Sequence, residues 1–573
     1  MLAGVVAPIA AAVSYVARLG NAGPVGDQWF DTVHIAIRTQ AGTLSPSDLF
    51  VYFSGHRPVL IRLQSVLLTL LTGYDIRLAR FAAIAKAVLT LGLLATLLVR
   101  HLEEEPAAGQ VRRWPLLMAP GLLAIVLFTL HAADSWLDFY YSLWQEPLLC
   151  LAAGGLAIDR LAPGWKPFAI ALLCAAASTL SLGLGTLAWG ALALMLFVRP
   201  FYRQRRYVAA WLAAALVAAA LYASPLARRP YEMAEAPRVN AAITAMPAYL
   251  LQYAAARFEM ASLGTPVSAR AISVALGSLL ALLCGVSLVL NARQVLVRRP
   301  LDPAIVTWLA LALFAVAGAV LSTLGRGVVL PVPIRYAPGG DGYWVAFVAI
   351  TCLSLARGQG GRRLAMFNGT LLVVFVTLSI AKDGWALLLA DDNTPAACDQ
   401  VLREYPHSRT SAFRDCFPYA DEASPYQLAA LRLSLFRERP AVSVVQAGQA
   451  SVISVLPHAW LTTYVRDYLV PTTPRERQFH VAPRRGAMQP AVSERSPFAG
   501  SFGIDQLPDP PVLAGEQVAD LLPRLDLAAS PRWIVFVTPQ TADALSRLAR
   551  ECAAIGYAGT RLRASHGPMG LET

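Results

Sequence analysis

Charge is scarce in this chain. Aspartate, glutamate, lysine and arginine together supply 15% of 573 residues, against 56% hydrophobic residues and a mean hydropathy of +0.51. Soluble domains carry about a quarter of their residues as charges, so a soluble enzyme is excluded and a polytopic membrane protein is what remains. Cysteine is also sparse, seven in all. There is no C-x-x-C pair and no zinc-ligand spacing, which excludes a zinc ribbon and a thioredoxin-like redox motif. A glycine-rich phosphate loop is missing, so a P-loop nucleotide site is excluded. The lack of an internal repeat counts against an inverted-repeat transporter. Finally, the apolar run at 2–17 has no basic residues ahead of it, and Arg18 comes after it. It reads as a first transmembrane helix, with a processed start as the alternative.

What is present is a succession of apolar windows: 2–17, 76–99, 115–131, 139–157, 167–181, 184–198, 207–224, 271–291, 303–323, 343–356 and 365–381. They predict about eleven transmembrane helices in a mostly α membrane bundle. The formal net charge of +12 is scattered in short clusters between these windows, which is topology and not a nucleic-acid surface. Arg100 with Arg112 and Arg113, Arg160 with Lys166, the group Arg199, Arg203, Arg205 and Arg206, then Arg293 with Arg298 and Arg299, and Arg357 with Arg362 and Arg363 fall on alternate connections. Those connections are expected on the cytoplasmic side. The stretches 19–75, 132–138, 225–268 and 324–342, and everything after about 383, are then expected outside. Arg228, Arg229 and Arg238 oppose this, in a long loop where charge counts orient weakly.

Two domains follow from this reading, a transmembrane one at 1–382 and a more polar extracytoplasmic one at 383–573. In the second, Cys398 and Cys416 flank VLREYPHSRTSAF. In an oxidising compartment they are either a disulfide or two reduced thiols. Residues 474–515, rich in Pro, Arg, Ser and Gly, read as a linker or loop. Trp533–Thr538, WIVFVT, predicts a buried strand and Ala542–Ile555 an amphipathic helix, together a small α/β domain.

The stretch most unlike its surroundings is GDQWFDTVHIAIRTQAGTLSPSDLFVYFSGHR, Gly26 to Arg57, directly after the first apolar run. Asp27 is the candidate general base: a carboxylate in a partly dehydrated pocket can be tuned to take a proton from a sugar hydroxyl. The alternative is a solvated loop aspartate or a helix cap. Asp31, one helical turn on, is a second acid, a partner of Asp27 in holding a divalent cation, or the outer face of a short helix. His56 and Arg57 could hold a phosphate or anchor the chain at the interface. Beyond them Pro58–Thr72 has helical spacing with one polar side, the pattern of a helix lying in the membrane interface.

A second polar stretch, LGRGVVLPVPIRYAPGGDG at 324–342, carries Arg326, Arg335, Tyr336 and Asp341 between two apolar windows. Arginine at membrane depth is costly unless it pairs with an acid or an anionic ligand. Arg335 is therefore a candidate clamp for a lipid phosphate, the alternative being snorkelling to headgroups. Asp134, Trp136, Asp138 and Glu146 cluster near the outer end of another pair of spans, as cavity lining or as an aromatic belt with flanking acids.

Several of these segments resemble those of bacterial members of the GT-C glycosyltransferase superfamily, polytopic enzymes that use polyprenyl-phosphate sugars. The resemblance rests on GDQWF after the first span, SGHRPVLIRLQSVLLTLLTGYDIRLAR, DSWLDFYYSLWQ, GTPVSARAISVALG, the Gly325–Arg326 and Arg335–Tyr336 pairs, and WIVFVT with the helix after it. It implies a GT-C-like bundle in the bacterial inner membrane, a first outer loop (19–75) bearing the catalytic aspartate at Asp27, and an outward-facing site. It also implies inverting transfer from a polyprenyl-phosphate sugar donor to a glycan, lipid or protein acceptor, with membrane lipids as further partners. Many members have two adjacent acids in that loop, whereas Gln28 follows Asp27 here. That leaves the use of a divalent cation and the identity of the base open. Two other function classes fit the composition: a transporter or flippase of lipid-linked sugars, and a non-catalytic envelope-assembly protein.

The charge pattern makes a direct prediction. With native thiols blocked, Glu235→Cys should react with a membrane-impermeant maleimide in right-side-out vesicles, and Gln204→Cys only after permeabilisation. The opposite pattern would invert the topology.

Overall fold

The computed structural model describes residues 2–53, 56–104, 113–130, 136–224, 239–259, 267–298, 302–326, 334–357, 361–389, 393–404, 416–417, 428, 433–434, 450–455, 478–482, 512–514, 532–536 and 571–572. It separates into two compact units, one of Met1–Gly20, Leu49–Gln64 and Arg77–Asp392, the other of Asn21–Asp48, Ser65–Ile76 and Asn393–Thr573. The stretch after the first helix is thus divided between them.

The first unit is helical. Among the described residues seven helices are long and apolar enough to cross a membrane: Leu2–Leu19, Ile76–Glu103, Arg205–Ala223, Ala271–Gln294, Pro303–Leu324, Tyr336–Ala356 and Arg363–Leu388. This is an integral membrane protein. The other four expected windows are helical too, but shorter: Arg113–Leu127, Glu146–Arg160 and Trp165–Thr179 have 15 residues each and Ala188–Phe197 has 10. A helix of 15 residues spans only about 22 Å, short of the bilayer core. The shortening has local causes. Pro147 opens the Glu146–Arg160 helix, and the tight 3-10 turn Gly183–Leu187 separates the last two. At Gly185 a side chain would overlap the carbonyl of Ser178. Irregular backbone of this kind is tolerated at membrane depth where protein surrounds it.

Small residues set the helix contacts. Leu2–Leu19 and Arg113–Leu127 cross at Gly4 and Gly121, where a Cβ on Gly121 would come within 3.4 Å of the Gly4 backbone. Without a hydrophobic drive between helices in lipid, such close approach is what supplies dispersion contact. The helix Asp341–Ala356 is enclosed almost throughout and packs along Pro303–Arg326. One face of Val59–Thr72 behaves in the opposite sense to a soluble helix: Arg62, Ser65 and Thr69 are buried, while Leu67, Leu70 and Leu71 are exposed. Apolar side chains directed outward and polar ones inward are what lipid as solvent selects.

At the end of the bundle marked by basic clusters, Asp159 ties four segments together. Its carboxylate pairs with Arg100 at 2.7 Å, Arg199 at 2.8 Å and His101 at 3.3 Å. The His101 Nδ1 in turn accepts a hydrogen bond from the Trp308 indole at 3.1 Å. Because that indole can only donate, the proton of His101 sits on Nε2, facing Asp159. Burial alone would raise the carboxyl of Asp159, but the hydrogen bonds from His101 and Arg199 and the charge of Arg199 outweigh it and hold it down from 3.8 to about 2.

The second unit contains a five-stranded sheet of β1 (Ala450–Val455), β2 (Gln478–Ala482), β3 (Val512–Ala514), β4 (Arg532–Phe536) and β5 (Leu571–Glu572), in the order β3-β2-β1-β4-β5. The first four strands run parallel, with Val452 opposite Gln478 on one side and Ile534 on the other; β5 is antiparallel to β4. The strand expected at 533–538 falls on β4, whereas the helix expected at 542–555 lies outside the described residues. Cys398 and Cys416 form a disulfide, of the two readings the oxidised one.

Removing the Asp159 carboxylate leaves its cations facing one another. Asp159→Ala should cost on the order of 3 kcal/mol, read as a lower Tm in detergent. Since the folded-state value is depressed, this stabilisation is complete above about pH 4 and is lost as pH falls through about 2. An unchanged Tm at neutral pH would remove the Asp159 cluster as a stabilising feature.

Candidate active site

In the membrane unit two of the candidate residues, His56 and Tyr336, meet a short 3-10 helix, Tyr140–Trp144, all of it buried. Its start is fixed by Asp138, whose carboxylate accepts the Tyr140 amide at 2.9 Å. From this helix each side chain reaches a different neighbour. The Tyr140 hydroxyl lies 3.5 Å from His56 Nε2, and its ring stands edge-on to Phe53. Phe53 and His56 pair across an isolated antiparallel bridge, so His56 is fixed through main chain and side chain together. Trp144 packs against Tyr336 at 4.9 Å. The aromatic DSWLDFYYSLWQ stretch therefore links His56 to Tyr336, residues 280 apart in sequence.

The same helix presents Ser142 to a buried lysine. Lys86, in the span Ile76–Glu103, donates to Ser142 Oγ at 2.7 Å, Glu146 Oε1 at 3.1 Å and Gln64 Oε1 at 3.2 Å. Gln64 closes the ring with its own bond to Glu146 Oε1 at 2.6 Å. The side chains of Lys86 and Glu146 are only 14% and 3% exposed, and Glu146 Oε2 has no hydrogen-bond partner among the described residues. An ion pair within the hydrocarbon-spanning part of a protein is expensive and marks function by default. Sequence reading passed over Lys86, although its signal was there: a lone charge in the apolar run 81–99. Gln64 and Glu146 became partners only once the helices were packed.

The arginines divide into two groups. Arg57 is buried and donates to main-chain carbonyls, from Nη1 to Phe50 at 2.7 Å, from Nε to Tyr222 at 3.2 Å and from Nη2 to Ser224. In that arrangement it braces backbone from two segments. Arg326 ends the helix Pro303–Arg326 and Arg335 lies in the 3-10 segment Ile334–Gly340; their side chains are outside what is described. Asp341 opens the next helix and faces Arg257, 1% exposed, at 3.9 Å. Arg257 also donates to the carbonyls of Ile125 and Val126 and lies against the rings of Phe258, Trp344 and Phe375. It too escapes the sequence reading, where it stood within the long outer loop. Asp134 lies outside the described residues.

Asp27 and Asp31 belong to the second unit. Asp27 is the middle residue of a 3-10 turn, Gly26–Gln28, and is half-buried. Gly26 has φ +55°, the left-handed region that glycine enters without strain, so the turn depends on it. On the other side of Asp27 the chain goes inward at once: Gln28 and Trp29 are fully buried and Asp31 nearly so. Asp31 stands just ahead of the helix Thr32–Ala41, whose buried face is Val33, Ala36 and Ile37. Of its three readings, an exposed outer face does not survive that burial. Among the described residues no group of three or more His, Cys, Asp or Glu is placed to hold a metal ion.

No protein family matches this sequence, and no curated protein matches it. Among solved structures, the crystal structure of ArnT from Cupriavidus metallidurans bound to undecaprenyl phosphate is similar, over 99% of this chain and 97% of that one, at 14% identity and a TM-score of 0.40.

Proposed function

We propose that this protein is an integral membrane glycosyltransferase that moves a sugar from a polyprenyl-phosphate carrier to a hydroxyl of an envelope glycan, lipid or protein, on the outer face of a bacterial inner membrane. The observation that carries the reading is Asp27: a half-buried carboxylate on a glycine-dependent turn directly behind the first membrane helix. In the proposed reaction Asp27 takes the proton of the acceptor hydroxyl as its oxygen attacks the anomeric carbon. The bond from that carbon to the phosphate oxygen breaks, and the lipid phosphate leaves with the electron pair. The configuration inverts in a single displacement.

The leaving phosphate needs cations in a region of low dielectric. Arg326 and Arg335 are assigned that role, joined by Lys86, whose ammonium is already held in the membrane unit by Glu146, Ser142 and Gln64. Tyr336 and His56, linked through Trp144 and Tyr140, line the same region, and Arg57 braces the carbonyls of Phe50, Tyr222 and Ser224. Asp31, buried just after the turn, is the second acid of the proposed site.

Asp27→Asn keeps size and hydrogen bonding and removes the base. Transfer from a radiolabelled undecaprenyl-phosphate sugar in proteoliposomes should fall by about 10²–10⁴-fold while insertion is unaffected. Turnover at the native rate would exclude Asp27 as base, and lipid-sugar translocation without transfer would favour a flippase. Lys86→Ala should raise the KM for the lipid donor by roughly tenfold or more; a native KM would take Lys86 out of phosphate binding.

A further inference from the structure

In the second unit the turn that bears Asp27 is held from both sides by a segment more than 370 residues away. Upstream, the Asp399 carboxylate accepts the amide of Ala22 on both oxygens, at 2.8 and 2.7 Å, and the amide of Gly23 at 3.0 Å. A carboxylate on consecutive amides is a charge-assisted clamp on the main chain, stronger than neutral hydrogen bonds. Gly23 fits under it because a Cβ there would run into Leu402 and Phe417. Downstream of Asp27, the buried ring of Trp29 meets that of Phe417 edge-on, with centroids 5.8 Å apart. A third tie comes from Ser434, which donates from Oγ to the Ala22 carbonyl at 2.8 Å.

Asp399 and Phe417 are next to the two halves of one covalent link. Asp399 follows Cys398 on the helix Asn393–Glu404, Phe417 follows Cys416, and these cysteines are bonded. The disulfide thus places the upstream clamp and the downstream ring contact on a single cross-linked piece. We propose that Asp399 and Phe417, joined through Cys398–Cys416, are positioning residues that set where the Asp27 carboxylate stands. Neither touches substrate; they act through the backbone at 22–23 and through Trp29. This rests on Asp27 being the base. Displacing a reacting group by about 1 Å can cost 10²-fold in rate.

The test uses the full chain in nanodiscs and reads two quantities, transfer from a radiolabelled undecaprenyl-phosphate sugar and amide hydrogen exchange over residues 22–31. Asp399→Ala should lower kcat at least tenfold with KM for the donor within about twofold, and speed exchange across the turn. Asp399→Asn, which keeps one acceptor oxygen, should recover part of both, and Cys398→Ser should move both in the same direction as Asp399→Ala. On an Asp27→Asn background, Asp399→Ala should slow transfer no further, because a residue acting only through Asp27 has nothing left to position. Additive losses in that pair, or native kcat and exchange in Asp399→Ala, would overturn the proposal. Should Asp27 prove not to be the base, faster exchange would still show the clamp while the catalytic role fails. A global fall in Tm with equal loss in Asp399→Asn and Asp399→Ala would mark a merely structural residue and overturn it as well.

Discussion

Buried arginines whose donors end on main-chain carbonyls hold the membrane unit together. Arg57 meets the carbonyls of Phe50, Tyr222 and Ser224, Arg62 those of Leu49 and Val51, Arg80 that of Leu137, and Arg257 those of Ile125 and Val126. In lipid a free carbonyl at a broken helix end has no water to turn to, and a guanidinium has five donors in a rigid fork to offer it. Each arginine therefore makes an irregular stretch of backbone tolerable. The short helices and 3-10 turns that shape this unit exist because such groups satisfy them from within.

That constraint explains why polar side chains gather where regular helix fails. Tyr140–Trp144 is a 3-10 segment between two apolar stretches, and it carries the contacts to His56, Lys86 and Tyr336. Ile334–Gly340 is another, leading into Asp341. A continuous helix would have presented those side chains to lipid in rotation. Broken ones turn several of them toward a shared interior.

Much of this was legible in the sequence, and what was not has a physical reason. Hydropathy located the eleven apolar windows, because burial of backbone in lipid demands long apolar runs; it missed the helix Val239–Ala255, in a stretch expected as an outer loop, and could not say which windows stop short, since that depends on Gly185 meeting Ser178 in space. The strand at β4 and the bonded pair Cys398 and Cys416 lay in local pattern and compartment. His56 and Tyr336 stand out in the sequence as candidates, whereas Tyr140 and Trp144, which join them, are two among several aromatics of DSWLDFYYSLWQ and gain that role only through packing. Arg57 read as a phosphate ligand or an interface anchor, and that its guanidinium donates to the carbonyls of Phe50, Tyr222 and Ser224 was not visible before the segments were packed. Asp399 carried no signal at all, for an aspartate in a polar tail is ordinary until its distant partners are known.

The clamp of Asp399 on Ala22 also fixes an order of events. The two residues are 377 positions apart, so during synthesis the first helix and its turn are made long before the residue that fastens them. The ends of that contact enclose nearly the whole membrane unit, and the cross-link beside it forms only in an oxidising compartment. Closure of the turn therefore waits until the whole of the membrane unit and the segment carrying Asp399 have been made.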